Sequence, residues 1–519
     1  MSSNSPLEAD EDNDTFSLLE QQRRKTSSSA ASHFAVYVAF LFPALAGFLF
    51  GFDIGATSGA VESLLGALDG DLRHSSPLLV GTLTSSSLFG AFAGTMVVFV
   101  VGEALGRRRE LLVGAACYMA GTALTCVAPS SSDAAAVLPA VLGGRAVYGL
   151  GIAFSMHAAP VYISEIAPSE IRGLLVSAKE ALIVLGIMMG FATSAASLRP
   201  AAGLDGAAWR AIWAPPLVVA AVVLIGVWRS PPSPRWLALR AARRRRAGGG
   251  GTLDTSDAAA ALTELRRGEP RYAIERELAE IVATLAEGDG DGGGCGEVLR
   301  ARRALVAGIG LVLLQQLTGQ PSVLYYQTII FTDAGFGDWA PYASVIVGAA
   351  KLVATFVAVL IVDRCGRRPL LFAGISMMLA ALLALAAAFL AATVGADGAV
   401  SLPGGWPTVV VGALMLYVCG YQVGFGPVAW LMISEVFPLR TRTRALSVAV
   451  LVNFGSNLLC TFTLQGLQDA FDALAPGRGI AYLFVLYAAL CAVSLGFVQQ
   501  CVPETKGKTL EEIEAMLSG

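Results

Sequence analysis

Glu165-Ile-Ala-Pro168-Ser-Glu170-Ile-Arg172 closes one apolar stretch of this chain, and Glu435-Val-Phe-Pro438-Leu-Arg440-Thr-Arg442 closes another 270 residues later. A second signal repeats in the same order: Gly106-Arg107-Arg108 is matched by Gly366-Arg367-Arg368, 260 residues on. The two separations differ only by the length of a loop. Positive charges at helix ends would explain the arginines but not the matched carboxylates. The chain therefore reads as two copies of one unit, each with a charge cluster on one side. The clusters are expected to hold Glu103, Arg107, Arg108, Glu165 and Arg172 in the first copy, and Asp363, Arg367, Arg368, Glu435 and Arg442 in the second. Arginines that follow one helix would pair with carboxylates that end another, and the pairs would break for that side to open.

Working outward, the residues between these signals are apolar in lengths that suit a bilayer. A helix needs about 20 apolar residues to cross the hydrocarbon core. Such runs fall near 34–60, 78–101, 110–128, 137–163, 174–197 and 209–228, then near 304–331, 341–362, 369–394, 407–433, 444–466 and 480–501. The expectation is an all-α membrane protein with twelve transmembrane helices in two pseudo-symmetric six-helix bundles. Residues 1–33 would form a polar, mostly disordered cytosolic tail, 34–228 the first bundle, 229–303 a cytosolic linker with short helices, 304–502 the second bundle and 503–519 a second cytosolic tail. With the N-terminus cytosolic, the opposite side carries only Arg73, Arg199, Arg210 and Arg478. Arg145, Lys179 and Lys351 lie inside spans, and the other 29 of the 36 basic residues face the cytosol. Both termini are therefore expected there.

Composition agrees. Apolar residues make up 55% and charged residues 14%, with a mean hydropathy of +0.64, against roughly 25% charged in soluble domains. The net charge of −3 points to no partner. Eight cysteines are scattered without CxxC spacing, so they read as small buried hydrophobes rather than a disulfide framework or metal site. The first 33 residues are polar and acidic over Glu8–Asp14, unlike a transit peptide or secretory signal. Asp14-Thr-Phe-Ser-Leu18-Leu19 has the spacing of an acidic dileucine sorting signal, a pattern also common by chance. The basic run Arg243–Arg246 is explained by a cytosolic charge excess, although it would suit anionic lipid too.

Six further motifs occur in order from Gly51 to Leu510: Gly51-Phe-Asp-Ile-Gly55, Gly144-Arg-x-x-x-Gly-x-Gly151, Pro160-x-Tyr-x-x-Glu165, Pro231-Pro-Ser-Pro-Arg235, Gln315-Gln-Leu-Thr-Gly319 with Tyr325-Tyr326, and Pro503-Glu-Thr-Lys-Gly507. Together they resemble the sugar porter family of the major facilitator superfamily, most closely its xylose–proton symporter-like and plant vacuolar or plastid branch. The resemblance implies the major facilitator fold, with a central sugar site reached by alternating access. It also implies secondary active transport of a hexose or pentose, coupled to protons. An uncoupled facilitator and a proton-coupled polyol or inositol carrier stay open as alternatives.

Ionisable groups inside a span cost roughly 2.5–3.5 kcal/mol on insertion scales, so they are expected to face a cavity or a partner. By resemblance, Asp53 would take up and release the proton with Arg145 as its changing partner; a static packing pair is the plainer reading. Glu180 and Lys351 stand where better-known sugar porters carry neutral amides. Opposite in charge and in opposite halves, they are expected to pair across the cavity, as a gate or a second titrating site. The plainer alternative is that one reaches an interface and no pair forms.

Sugar hydroxyls call for neutral groups that donate and accept, plus an aromatic face. Gln315, Gln316, Asn453, Asn457 and Trp430 supply both, and Tyr325 would close the outer side. Here the family asparagine is replaced by Pro321, which is expected to kink the seventh span, and Phe454 stands where tryptophan is common. The candidate substrate-binding set is thus Glu180, Gln315, Gln316, Tyr325, Lys351, Trp430, Asn453 and Asn457.

Other function classes find less support. His33, His74 and His157 form no visible cluster with Ser, Cys or metal ligands, and no GxxxxGK[ST] loop is present, so neither an enzyme nor ATP-driven transport is expected. Only about sixteen residues follow Pro503, which argues against a non-transporting sensor with a signalling tail. No cofactor, metal, nucleic acid or obligate protein partner is expected; the partners are a sugar, a proton and the lipid bilayer, in a vacuolar, other endomembrane or plasma membrane.

Overall fold

The computed structural model describes residues 8–68, 76–199, 202–204, 206–247, 253–287, 302–394, 400–437, 439–506, 508, 512, 513 and 516, with backbone alone for 8–33, 169–170, 246–247, 286–287, 363, 394, 400–401, 434 and 439–443. The helices in chain order are α1 (Glu8–Ala67), α2 (Pro77–Thr84), α3 (Ser86–Leu105), α4 (Arg107–Cys126), α5 (Ala134–Ile166), α6 (Ser169–Ser197), α7 (Ala208–Trp213) and α8 (Pro216–Arg229). Three follow at the surface, α9 (Pro234–Ala247), α10 (Ser256–Leu265) and α11 (Arg271–Glu287). The second half holds α12 (Arg302–Leu317), α13 (Gln320–Tyr325), α14 (Gln327–Phe331), α15 (Ala340–Cys365), α16 (Arg367–Leu390), α17 (Trp406–Val423), α18 (Phe425–Val436), α19 (Leu439–Leu474) and α20 (Gly479–Cys501). A two-stranded hairpin, β1 (Thr393–Val394) and β2 (Val400–Ser401), follows α16. Among the described residues, ten helical segments are long and apolar enough to cross a membrane. The expected tail falls partly on residues 1–7, outside the described residues; α1 extends back to Glu8, and its apolar, span-length part is Phe34–Ala67.

Close packing comes from glycine. Gly51 and Gly55 of α1 press on the Ile183 and Ile187 carbonyls of α6, and Gly186 and Gly190 of α6 press back on those of Phe48 and Phe52. Small residues let backbones approach where no hydrophobic force drives helices together. The same device joins α3 to α5, where Gly90 and Gly149 meet the Ala146 and Ser87 carbonyls. Between the halves, α6 lies along α15, and α19 crosses α2 and α3.

Two bonds and two glycine turns match between the repeated motifs. Gly106 (φ 81°) and Gly366 (φ 91°) both take a left-handed conformation that glycine adopts without strain, which explains the first residue of each turn. Arg107 Nε lies 3.4 Å from Glu165 Oε1, and Arg367 Nη2 lies 2.9 Å from Glu435 Oε1. Other expected members behave differently. Arg108 donates to the Val227 and Trp228 carbonyls ending α8, and Arg368 to the Gln499 carbonyl ending α20. They thus satisfy the orphan acceptors of a helix C-terminus, where a cation also suits the dipole. Glu103 pairs with Arg243 of α9 at 2.8 Å, on the surface, instead of with a Gly-Arg-Arg arginine. Arg172 is exposed, and the side chains of Asp363 and Arg442 lie outside the described residues.

The chain after α20 is stitched to this cluster. Glu504 accepts from the backbone N–H groups of Arg367 (3.1 Å) and Arg368 (3.0 Å), capping α16, while Thr505 donates to Glu435 at 2.5 Å. Burial pushes the Glu504 carboxyl up, but the N–H groups of Lys506, Arg368, Arg367 and Thr505 outweigh it and hold it below the ordinary glutamate range. A carboxyl with a depressed folded pKa stabilises the fold above its unfolded pKa and loses that contribution as pH falls through the lowered value. Acidification from about pH 7 to about pH 3 should therefore lower the Tm of the parent protein more than that of Glu504→Gln. A constant gap between the two Tm curves would remove the cap from the acid response.

Candidate functional site

Gly51 and Gly55 bind one face of α1 to α6 and leave Asp53 facing α3 and α5. Its carboxylate is buried (1% exposed) and ion-paired through Oδ1 with Arg145 Nη2, while Oδ2 accepts from Ser87 Oγ at 2.7 Å. Arg145, equally buried, also donates to Thr57 Oγ1 at 3.0 Å and lies over the rings of Trp213 (4.9 Å) and Tyr148 (5.2 Å). The pair is therefore dry, closed on several sides and held by groups from α1, α3, α5 and α7. Tyr325 is fully buried, with its hydroxyl toward Ser87 and in the field of Asp53 and Arg145.

The amides lie where α12 breaks. Gly319, at φ 94°, ends the helix, and Pro321 enters the first turn of α13, where it forfeits no hydrogen bond. The break thus belongs to Gly319, not to the proline. Gln315 Nε2 donates to the Phe425 carbonyl at the break between α17 and α18, and Gln316 Nε2 donates to Asn453 Oδ1 at 2.5 Å. The Oε1 atoms of both glutamines are buried and unpartnered, an uncommon state for a buried acceptor. Asn457 Oδ1 accepts from Thr461 at 3.4 Å, and Trp430 is half-buried on α18. Phe454 meets Phe50 of the first half edge-on, centroids 5.9 Å apart.

The Glu180–Lys351 pair is not formed in this conformation. Lys351 donates to Gln422 Oε1 of its own half at 3.0 Å and sits 4.8 Å from the Tyr421 ring. Glu180, 39% exposed, is taken by its neighbour Lys179 at 2.9 Å. Each charge finds a nearer partner in its own half, although Lys351 still lies in the field of Glu180. Gln422, a neutral residue with no charge signature, was not among the candidates. His157 is also less isolated than its sequence suggests: its Nδ1 lies 2.7 Å from Glu110 Oε2.

On the side away from the arginines the halves touch. Thr328 N donates to Ser58 Oγ at 2.9 Å, Thr332 Oγ1 to Glu62 at 3.4 Å, and Phe462 lies edge-on to Phe89 at 5.6 Å. The Arg107–Glu165 and Arg367–Glu435 pairs each stay within one half.

A family model described as "Sugar (and other) transporter" matches residues 39–517. The D-xylose-proton symporter-like 3, chloroplastic, of Arabidopsis thaliana is 44% identical over 493 residues, covering 93% of this chain and 82% of that protein. The D-xylose-proton symporter-like 2 of the same plant is 42% identical over 489 residues, covering 93% and 90%. Among solved structures, the inward open conformation of the xylose transporter XylE from E. coli matches with a TM-score of 0.73 at 26% identity, over 93% of this chain and 99% of that one.

Proposed function

The chain belongs to the sugar transporter family, and we propose that it is a proton-coupled monosaccharide symporter working by alternating access. It is an integral, multi-pass membrane protein. The observation that carries the coupling is the buried Asp53–Arg145 pair, reinforced by Ser87 and Thr57. An arginine beside a carboxylate keeps it ionised, and its withdrawal in a dry pocket favours proton uptake. One group thereby alternates between a charged and a neutral state as the halves move. The symporter names of its Arabidopsis relatives favour the same reading.

The unpartnered glutamine acceptors suit sugar hydroxyls, with Asn453 and Asn457 beside them and Trp430 as the apolar platform. Twelve spans are the reading we adopt: α4 and the broken α12–α13 segment complete the ten long apolar helices. The arginine-rich side, with both termini, is assigned to the cytosol. Contacts across the halves on the far side then describe a carrier closed on the side opposite the cytosol. One relative carries a chloroplastic name, which favours an organellar membrane.

The test is uptake by purified protein in liposomes, with a labelled monosaccharide panel and an imposed proton gradient. Accumulation above equilibrium is expected for at least one hexose or pentose. Equilibration indifferent to the gradient would make this a facilitator and Asp53–Arg145 a packing pair. Gln316→Ala should weaken binding of the transported sugar about tenfold, roughly the worth of one well-made hydrogen bond, as read by titration calorimetry. Unchanged affinity would take Gln316 and its partner Asn453 out of the site.

A further inference from the structure

Glu110 and His157 have no part in the reading above, yet they form an enclosed titratable pair. Glu110 is fully buried in the first turn of α4; Oε2 meets His157 Nδ1 on α5 at 2.7 Å, and Oε1 is buried without a partner. His157 keeps 17% of its side chain exposed, so the imidazole is the open end of the pair. Gly102 of α3 lies against both groups. The surrounding charges are engaged elsewhere: Arg107 of α4 with Glu165 of α5, Glu103 of α3 with Arg243 of α9, and Arg108 with the carbonyls ending α8.

The helices α4 and α5 run antiparallel, and their rungs can be followed inward. Arg107 faces Glu165, Glu110 faces His157, Gly114 meets Ser155, and the rings of Tyr118 and Tyr148 stack edge-on at 4.6 Å. The Ser155 hydroxyl is buried and lies beside Tyr118. Tyr118 in turn lies in the field of Asp53 with its hydroxyl donating to the Ala46 carbonyl at 3.3 Å, and the Arg145 guanidinium rests over Tyr148, whose hydroxyl donates to the Leu49 carbonyl at 2.8 Å. Hydroxyl, carboxylate and imidazole groups thus recur at successive levels of the α4–α5 seam between the level of Asp53 and the arginine-rich side.

We propose that this line carries the translocated proton out of the protein, a step that rests on Asp53 being the coupling group. The O–H bond of protonated Asp53 breaks as Arg145 returns to the carboxylate. The proton passes by the hydroxyls of Tyr118 and Ser155 to the Glu110–His157 pair, and the imidazole gives it to water on the arginine-rich side. Each relay group accepts one proton and gives one up, so only Asp53 ends changed, as a carboxylate. Imidazole suits the last place because one ring nitrogen can take a proton while the other gives one up. The sugar leaves by the central site while the proton leaves through the interior of one half.

The experiment compares wild type, His157→Gln and Glu110→Gln in liposomes. Gradient-driven uptake is measured over a series of internal pH values, alongside exchange of labelled for unlabelled sugar, which needs no proton release. Both variants should lose about 100-fold in net uptake, the lower end of what a positioned proton-transfer group contributes. Their dependence on internal pH should flatten while exchange persists. Wild-type uptake with a wild-type pH profile in both variants would overturn the relay. Uptake and exchange falling in step would overturn it too, leaving the pair a structural tie. A wild type that never accumulates sugar would instead overturn the coupling reading beneath it.

Discussion

Asp53→Asn should abolish accumulation of sugar against its gradient while exchange of labelled for unlabelled sugar continues. Asparagine keeps the shape of the side chain: its oxygen can still accept from Arg145, while its NH2 group would donate to Ser87 Oγ and reverse that bond. It cannot bind or release a proton. Arg145 loses its counter-charge but keeps Thr57 and the faces of Trp213 and Tyr148, so the site should remain folded. A proton gradient of one pH unit is worth ~1.4 kcal/mol, enough for about tenfold accumulation by a one-to-one symporter. The variant should stop at equality of inside and outside. Accumulation that survives the substitution would move coupling to another residue.

Gln422→Leu should destabilise the fold by about 3 kcal/mol, as for a buried charged donor left without its acceptor. Lys351 is 2% exposed and its ammonium is met by the Gln422 oxygen and the Tyr421 ring. Adding Lys351→Met should restore most of the loss, because two apolar groups of similar shape leave nothing unsatisfied. Thermal unfolding of the three proteins in one detergent decides the matter. A double variant no more stable than Gln422→Leu alone would show that the lysine is held some other way.

Where residues announced their partners by charge, the primary structure was a good guide. Asp53 and Arg145 are costly in a membrane and lie together as expected, and the paired Gly-Arg-Arg and Glu-x-x-Pro signals place Arg107 on Glu165 and Arg367 on Glu435. Where a partner was neutral or a backbone group, charge reasoning had nothing to work with. Arg108 and Arg368 were assigned to carboxylates, yet they serve carbonyls at helix ends, which carry no mark of their own. Lys351 was sent across the cavity to Glu180, since an amide such as Gln422 looks like any other polar residue. His157 and Glu110 are 47 positions apart, and only the antiparallel seam of α4 and α5 brings them together. The break at Gly319 was visible as a glycine, but the neighbouring proline drew the attention.

The surface helices between the halves have a practical consequence. Arg266, at the end of α10, is buried and donates to the Ile166 carbonyl that ends α5, while Glu277 of α11 holds the same guanidinium at 2.8 Å. Arg243 of α9 holds Glu103. This polar scaffold is therefore bolted to the first half and travels with it, just as Thr505 travels with the second. A dye on the exposed Tyr272 position of α11 and another near the end of the chain would form a ruler whose ends ride on different bodies. Its length would report the rocking of one half against the other from outside the bilayer, without a label ever entering the sugar path.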